Sequence, residues 1–281
     1  MYCFIHIGIM KRNINNRVVI ITGASSGIGL ACARVFYSEG AKLVLAARSE
    51  DVIKKLADEF NKEEIRAIAV KTDVANESEC KNLIEKAIET FGKIDILINN
   101  AGVSMRANFL DVELDVLRKV MNVNFWGTVY CTKYAYPYII ANKGSIVGIS
   151  SVAGIHGLPC RTGYSASKYA IQGFLDAIRI ETMKKGVQVM TVIPGFISTN
   201  IRKTAFVADG SVQGESPRDE NKMMSPEELA RRIVSGIKKN KRQLATSYEG
   251  IFTPIVSLFF PKIADKIYYS QMKREPNSHL D

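Results

Sequence analysis

Residues 18–29 read VVIITGASSGIG, and the architecture of the chain can be worked out from this stretch. Its first five residues are β-branched and predict a buried strand, and the apolar periodicity that follows predicts a helix over residues 28–39. A glycine-rich turn between a strand and a helix presents backbone amides and a helix N-terminus to negative charge. This context is typical of a dinucleotide site, although a plain connecting turn is the alternative.

Three glycines give the turn its expected function. Gly23 permits a tight turn, Gly27 lets backbone amides approach a pyrophosphate, and Gly29 allows the helix to pack closely against the turn. Residues between these glycines complete the predicted phosphate loop, which therefore also includes Ser25, Ser26 and Ile28.

The remainder of the chain alternates short apolar runs with helix-length segments. Such alternation predicts an α/β fold, namely a single-domain, Rossmann-like, doubly wound parallel β-sheet with helices on both faces. Further strands are expected at residues 42–47, 67–71, 94–99, 145–150 and 187–193, and helices at residues 50–60, 77–91, 114–136 and 164–185.

The domain boundaries follow from changes in composition. We expect residues 1–16 to be a poorly ordered leader, with Met10 an alternative start, and residues 17–250 to form the dinucleotide-binding catalytic domain. Residues 196–221 are polar and glycine-bearing in their second half and predict a mobile substrate flap. A capping box at Ser225 predicts a helix to about residue 238, followed by a strand at 243–246. Residues 251–281 form an apolar tail with a polar end.

Composition excludes several classes of protein. The five cysteines of this 281-residue chain include no C-x-x-C pair, and its three histidines are scattered, so neither a disulfide framework nor a metal site is expected. We therefore expect a reducing, cytoplasmic location. The net charge of +10 comes without an aromatic-interleaved basic stripe, so we interpret it as solubilising charge and expect no nucleic-acid partner.

The end of the second predicted strand bears on the choice of cofactor. Many dinucleotide sites place an acid there to bind the adenosine ribose, but this chain reads Ala46-Ala47-Arg48-Ser49. Arg48 offers a guanidinium fork suited to a 2′-phosphate, and Ser49 or Ser25 can add a hydroxyl donor. The sequence therefore favours NADP(H). If Arg48 is only a surface arginine at a strand end, the preference stays open.

Tyr164 and Lys168 form the most informative pair outside the glycine turn. Residues four apart share one face of a helix, so an ammonium there can stabilise a phenolate near neutral pH. A tyrosine with such a neighbour can exchange a proton with a carbonyl oxygen. Ser151 lies thirteen residues before Tyr164. A packed tyrosine with a solvated lysine one turn on is the alternative.

The motifs of this chain, taken in order, resemble those of the short-chain dehydrogenase/reductases, with coverage from about Arg17 to Lys238. Five elements carry the resemblance: Thr22-Gly23-x3-Gly27-x-Gly29, Asp73-Val74, Asn99-Asn100-Ala101-Gly102, Ser151-x12-Tyr164-x3-Lys168, and Pro194-Gly195 followed by Thr199.

The resemblance implies a catalytic set of four residues. Tyr164 would exchange the proton, Lys168 would lower its pKa and hold the nicotinamide ribose, and Ser151 would polarise the carbonyl, with Ser150 as the alternative. Asn124 would bend its helix and hold a water that links Lys168 to solvent. A mid-helix asparagine with purely structural hydrogen bonds is the alternative for Asn124.

The resemblance also implies cofactor contacts. Asp73 and Val74 would line the adenine, Asn100 would stabilise the sheet near the cofactor, and Ile197 and Thr199 would meet the nicotinamide carboxamide. For Asn100 a structural role alone is an equal alternative. The full expected set is Gly23, Ser25, Ser26, Gly27, Ile28, Gly29, Arg48, Ser49, Asp73, Val74, Asn100, Ala101, Gly102, Tyr164, Lys168, Pro194, Gly195, Ile197 and Thr199.

The walls expected around the reacting position are mainly apolar, which suggests a hydrophobic ketone or secondary alcohol such as a steroid, a lipid-derived ketone or a xenobiotic. The candidate substrate residues are Ser151, His156, Leu158, Phe196 and Phe206. We therefore expect an NADP-dependent oxidoreductase. A non-catalytic NADP-binding sensor or scaffold of the same fold is the alternative, and the glycine spacing disfavours a nucleotide-sugar epimerase.

The resemblance implies a homodimer or homotetramer, formed through the helices that begin near Leu114 and Tyr164. For the apolar tail we expect packing on the core or closure of the substrate site. A subunit interface and peripheral contact with a membrane surface are the alternatives. Because Pro254 and Pro261 interrupt residues 251–269, this segment is a poor transmembrane span.

Overall fold

The computed structural model describes residues 12–278 and 280. Within them, seven strands form one parallel sheet in the order β3-β2-β1-β4-β5-β6-β7. This is the predicted Rossmann-like α/β fold. The strands are β1 (Val18–Thr22), β2 (Lys42–Ala47), β3 (Ala67–Lys71), β4 (Ile96–Asn99), β5 (Ser145–Ile149), β6 (Gln188–Ile193) and β7 (Gln243–Ala245).

Nine α-helices accompany the sheet in the described part of the chain. They are α1 (Gly27–Ser38), α2 (Glu50–Phe60), α3 (Glu77–Phe91), α4 (Leu114–Met121), α5 (Gly127–Ala141), α6 (Thr162–Glu181), α7 (Pro226–Lys238), α8 (Tyr248–Phe259) and α9 (Pro261–Lys273).

The alternation of side chains along the strands builds two cores. In β1, Val19 and Ile21 pack with apolar residues of α1, α2 and α7 on one face of the sheet. Val18 and Ile20 pack on the opposite face with α3, α5 and α6. Successive side chains of a strand point to opposite faces, so a sheet covered on both sides needs strands that are apolar throughout.

Two element boundaries differ from the sequence prediction for identifiable reasons. The fourth strand begins at Ile96 rather than at residue 94, because the Asp95 carboxylate accepts the Val18 N–H at 2.9 Å and pairs with Arg17 at 2.5 Å. The long helix expected over residues 114–136 is broken by a π-helical turn, Asn122–Trp126, which separates α4 from α5.

The expected leader divides into two parts. Residues 1–11 lie outside the described residues, but Ile14 is fully buried in the core. The Arg12 guanidinium donates to the Gly186 carbonyl at 2.7 Å. Within the described residues, positions 12–16 of the expected leader therefore pack against the domain, because the Ile14 side chain and the Arg12 guanidinium anchor them.

The apolar tail folds into a helical pair, α8 and α9. Ser247 caps α8 by accepting the Gly250 N–H at 3.2 Å, and Pro261 occupies the first turn of α9. Tyr268 and Met272 are buried, whereas Phe252, Leu258 and Phe259 are more than half exposed. Among the described helices, none combines the length and the hydropathy needed to cross a bilayer.

Candidate active site

The candidate site is a cavity of about 720 Å³ at the carboxyl ends of the strands. β1 lies between β2 and β4, so consecutive crossovers leave the sheet in opposite directions at this point. Ligands of doubly wound sheets bind in the crevice that this reversal opens. The residues that line the cavity come mainly from the turns after β1 to β6, from α6, from residues 196–218 and from the C-terminal segment that includes α9.

The glycine turn forms one end of the cavity. Gly23 and Gly27 have φ values of +67° and +53°, which residues with a Cβ rarely adopt. A Cβ on Gly29 would lie 2.1 Å from the Gly23 carbonyl oxygen, so this glycine serves close packing and, unlike Ser25, Ser26, Gly27 and Ile28, does not line the cavity.

The N-terminus of α1 suits a negatively charged group. Its first turn contains no acidic side chain, and the Ser26 hydroxyl does not cap the helix. The first amides of a helix have no partners within the helix, so they point at whatever lies beyond the N-terminus. This cradle of backbone and small residues fits the pyrophosphate of a dinucleotide.

Asn100 joins the end of β4 to the glycine turn. Its side-chain amide donates to the Thr22 carbonyl at 2.9 Å, and its backbone N–H donates to the Thr22 hydroxyl at 3.0 Å. Ala101 donates to the same hydroxyl at 3.0 Å. Asn100, Ala101 and Gly102 also line the cavity. The observed hydrogen bonds of Asn100 are structural.

Arg48 and Ser49 lie at the rim of the cavity, at the end of β2, and are exposed. Within residues 12–278 and 280, the Arg48 guanidinium makes no hydrogen bond or ion pair, so its donors are available to a ligand. Asp73 and Val74 line the cavity after β3. The Asp73 carboxylate accepts the Ala75 N–H at 3.0 Å, which fixes this turn.

Ser151, Tyr164 and Lys168 come together in the middle of the cavity. Ser151 lies just after β5, where its hydroxyl accepts the Ala153 N–H at 3.2 Å and acts on Tyr164 in the direction of a lower pKa. Lys168 lies one turn beyond Tyr164 on α6, with its Nζ 5.6 Å from the centre of the tyrosine ring. The same Nζ donates to the Ile149 carbonyl at 2.8 Å. The Ser150 hydroxyl instead donates to the backbone carbonyl of Lys168 at 3.2 Å, so its hydrogen bond stabilises the backbone of α6.

The protonation of this pair is set mainly by burial. Burial raises the pKa of Tyr164, and the hydrogen bond from Ser151 and the charges of Arg161 and Arg202 oppose that rise only in part. Burial also lowers the pKa of Lys168 to about 8. The sequence led us to expect that Lys168 lowers the pKa of Tyr164, but burial has the larger effect on that pKa. Tyr164 is therefore a neutral phenol that can donate a proton.

Asn124 lies in the π-helical turn and is fully buried. Its side-chain oxygen accepts the Val103 N–H at 2.8 Å, and its amide donates to the Val103 carbonyl and the Ser167 hydroxyl, both at 2.9 Å. A Cβ on Gly102 would lie 3.2 Å from Asn124 Oδ1 and 3.6 Å from Lys168 Nζ. Asn124 thus sits beside Lys168, at the interruption of the helix, with structural hydrogen bonds.

The substrate end holds most of the expected residues. Leu158, Phe196 and Phe206 line the cavity with Ser151, as do the predicted cofactor residues Pro194, Gly195, Ile197 and Thr199.

His156, which the sequence offered as a substrate residue, does not line the cavity. Its ring nitrogens lie 2.9 Å from the Ser257 hydroxyl and 3.2 Å from the Asp265 carboxylate, and its ring stacks on Tyr268 at 4.8 Å. These contacts direct the side chain toward α8 and α9 rather than into the cavity.

Sequence reasoning missed several charged and apolar residues of the cavity. Arg161 lies three residues before Tyr164, so the helical face of the Tyr–Lys pair could have revealed it. No local pattern connects the others, because they come from the flap and the tail. The missed lining residues include Arg161, Arg202, Arg218, Tyr268, Met272 and Glu275.

Comparison with known proteins agrees with this geometry. A family model described as short chain dehydrogenase matches residues 17–209. Dehydrogenase/reductase SDR family member 7B of Xenopus tropicalis is 36% identical over 92% of this chain and 85% of its own length. An uncharacterized oxidoreductase of Bacillus subtilis, YxnA, is 32% identical over 95% of this chain and 77% of its own length.

A solved structure gives the same result. An alcohol dehydrogenase from the archaeon Thermococcus sibiricus, complexed with 5-hydroxy-NADP, aligns with a TM-score of 0.73 and 25% sequence identity. The alignment covers 83% of this chain and 95% of the archaeal chain. With the family match and the relatives above, these findings identify the chain as a member of the short-chain dehydrogenase/reductase family, an oxidoreductase family that acts on alcohol and carbonyl groups.

Proposed function

We propose that this protein is an NADP(H)-dependent oxidoreductase that transfers a hydride between the nicotinamide and a carbonyl or secondary alcohol of a hydrophobic substrate. The observation that carries the proposal is the convergence of Ser151, Tyr164 and Lys168 in one cavity whose other end is the glycine turn. A dinucleotide held by that turn extends toward the three polar side chains.

The cofactor would be held by groups already described. The amides at the N-terminus of α1 would bind the pyrophosphate, Arg48 with Ser49 would bind the 2′-phosphate, and Lys168 would bind the nicotinamide ribose. When bound, the nicotinamide supplies or accepts the hydride. The choice of NADP(H) rests on the guanidinium of Arg48 at the rim, which has no partner among the described residues, and the bound NADP analogue of the archaeal relative agrees with it.

The side chains of this chain supply the proton and the polarisation. In the reducing direction, the neutral phenol of Tyr164 donates a proton to the carbonyl oxygen, and the Ser151 hydroxyl donates a hydrogen bond to the same oxygen. The charge of Lys168 stabilises the phenolate that Tyr164 leaves behind. Asn124 keeps the π-helical turn in place beside Lys168 through its bonds to Val103 and Ser167.

The preference for a hydrophobic substrate rests on the composition of the far wall. Several apolar side chains from the flap, the loop after β5 and α9 face the reacting position, which favours a ketone or alcohol with a sizeable apolar body. These side chains are Val152, Leu158, Phe196, Phe206, Val212 and Met272.

A panel of ketones assayed with NADPH, on wild type beside Tyr164→Phe, tests the proposal. The variant keeps the ring but not the proton, so we expect kcat to fall by about 100- to 10,000-fold while NADPH still binds. NADPH binding is followed by fluorescence in both proteins. Equal turnover by the variant on an active substrate would show that Tyr164 is not the acid.

The alternative, a non-catalytic NADP-binding sensor or scaffold, predicts NADPH binding with no turnover across the panel. A homodimer or homotetramer, a cytoplasmic location and any peripheral membrane contact of the tail stay predictions. Light scattering of the purified protein and sedimentation with anionic liposomes measure the first and the last of these.

A further inference from the structure

Three arginines converge on one carboxylate at the substrate end of the cavity. Arg161 Nη2 and Arg218 Nε each donate to Glu275 at 2.8 Å, and Arg106 Nε lies 3.7 Å from it. The four side chains are only 4–20% exposed. Among the described residues, one carboxylate faces three guanidinium groups here, so positive charge is in excess at this place.

Arg218 is the member of the cluster with an unused hydrogen-bond donor. Its Nη2 is buried and has no hydrogen-bond partner among the described residues. The guanidinium lies over the Phe196 ring at 3.9 Å, which fixes the direction of its remaining donors. Both residues line the cavity. A buried donor without an acceptor is costly, and a ligand anion that enters the cavity would remove that cost.

The cluster lies close to the reacting position. Arg161 precedes Tyr164 by three residues at the start of α6, and its charge acts on the Tyr164 hydroxyl. The neighbouring charges do not cancel the excess, because Glu220 is already paired with Arg202 at 2.6 Å and Glu249 lies at the exposed start of α8. An anion bound by Arg161 and Arg218 would therefore sit within a short distance of the carbonyl.

We propose that the substrate carries an anionic group, a carboxylate or a phosphate, that binds Arg161 and Arg218 while its carbonyl meets Ser151 and Tyr164. This inference rests on the proposed function and narrows its substrate class to an amphipathic molecule with an apolar body and an anionic group. Planar forks of this kind bind carboxylate and phosphate through paired hydrogen bonds.

A purely structural role explains the position of Arg106, but it does not explain the unpaired donor of Arg218. Arg106 Nη2 donates to the carbonyls of Pro276 at 2.6 Å and Asn277 at 3.1 Å, so it fastens the chain after α9 to the domain. If fastening were the only purpose, replacing Arg218 would lower stability without changing the choice between charged and neutral substrates.

The test uses matched pairs of ketones that differ only in charge: medium-chain oxo acids beside their methyl esters, and phosphate monoesters of hydroxyalkyl ketones beside the free hydroxy ketones. For wild type we expect kcat/KM, measured by NADPH oxidation, to favour the anionic member of at least one series by about tenfold or more. The series that is favoured identifies the anion as carboxylate or phosphate.

Arg218→Gln should abolish that preference, mainly through KM of the anionic member, so that the two members of a pair reach similar kcat/KM. Arg218→Lys, which keeps the charge but not the fork, should give an intermediate preference. Arg118→Gln, at an exposed arginine paired with Asp115 on α4, is the matched control and should behave as wild type.

Wild type that turns over both members of every pair equally would overturn the inference without the help of any variant. So would an unchanged preference in Arg218→Gln. Turnover of the neutral members that depends on Tyr164 would leave the proposed function standing in either case. Absence of turnover on every ketone, charged or neutral, would count against the proposed function itself.

Discussion

The two ends of the cavity are built in different ways. The nucleotide end consists of short turns that directly follow β1, β2, β3 and β4, and its groups are mostly backbone amides and small side chains. The substrate end consists of residues 196–218, part of α9 and the turn after it, and its groups are long side chains, among them Arg218, Tyr268 and Glu275.

This difference in construction separates the binding of the nucleotide from the selection of the substrate. Backbone groups fixed by a sheet cannot rearrange without disturbing the core, so the nucleotide end is rigid and does not depend on particular side chains. Long side chains on connecting segments can be exchanged at little cost to the sheet, so the substrate end can carry the specificity of the individual protein. Substitutions at the two ends should therefore have separable effects.

The largest effect is expected from Gly29→Ala at the nucleotide end. The new Cβ would lie 2.1 Å from the Gly23 carbonyl oxygen and 2.6 Å from Asn100 Nδ2, and the first of these is backbone that cannot move aside. We expect a loss of about 3 kcal/mol or more in the free energy of unfolding, measured with urea, together with weakened NADPH binding.

Gly173→Ala is the matched control, since a Cβ there meets nothing within 4 Å and the residue lies in the middle of α6. It should raise stability by about 0.5–1 kcal/mol through helix propensity. Similar stabilities for the two variants would show that the turn at Gly23 has room for a Cβ at position 29.

The pH dependence of stability tests the burial of Lys168 between the two ends. Its pKa is about 8 in the folded protein against 10.5 for an exposed lysine, so between these values the unfolded chain binds more protons. Stability should therefore rise with pH in this window, and the cost of burying the charge is fully present below pH 8.

The measurement is the difference in unfolding free energy between wild type and Lys168→Met across the same pH range. This difference should change by up to about 3 kcal/mol in favour of wild type as the pH rises to 10.5, because the variant has no charge to lose. A flat difference would contradict the described burial of the ammonium.

Arg48→Asp addresses the cofactor preference at the nucleotide end. An acid at the end of β2 repels a 2′-phosphate and can accept ribose hydroxyls, so kcat/KM with NADPH should fall by about 10- to 100-fold, with an equal or improved value for NADH. Arg48→Lys should lose less because it keeps the charge. An unchanged NADPH preference in Arg48→Asp would exclude Arg48 as the selecting residue.

The smallest effect is expected from His156→Ala, which acts on the substrate end alone. The substitution removes the bonds to Ser257 and Asp265 and the stacking on Tyr268, and should cost about 1 kcal/mol and raise the substrate KM several-fold. Ser257→Ala should give part of this loss. The KM for NADPH should not change, and a comparable rise in it would show that the two ends are coupled.

The sequence predicted what depends on neighbouring residues. Strands 18–22, 42–47 and 67–71 and helices 50–60 and 77–91 have the predicted bounds, because apolar periodicity and turn residues act locally. The residues of the nucleotide end follow from the same turns. Their roles in binding and catalysis stay predictions that the experiments above test.

What the sequence could not predict depends on contacts between distant segments. The resemblance implied a bend at Asn124, but it did not indicate the bonds to Val103, twenty-one residues away, that hold the π-helical turn. Arg218 and Glu275 are fifty-seven residues apart. Of the two prolines expected to interrupt the tail, Pro261 does so by starting α9, whereas Pro254 is accommodated inside α8.

During synthesis, β1, β2 and β3 leave the ribosome first and can pair at once, but the other edge of β1 stays open until residues 96–99 arrive. An open apolar edge recruits other chains. We therefore expect a chain truncated near residue 95 to aggregate more than the full-length chain, which sedimentation of the two refolded proteins can measure. The wall formed by α9 is added last, to a sheet that is already complete.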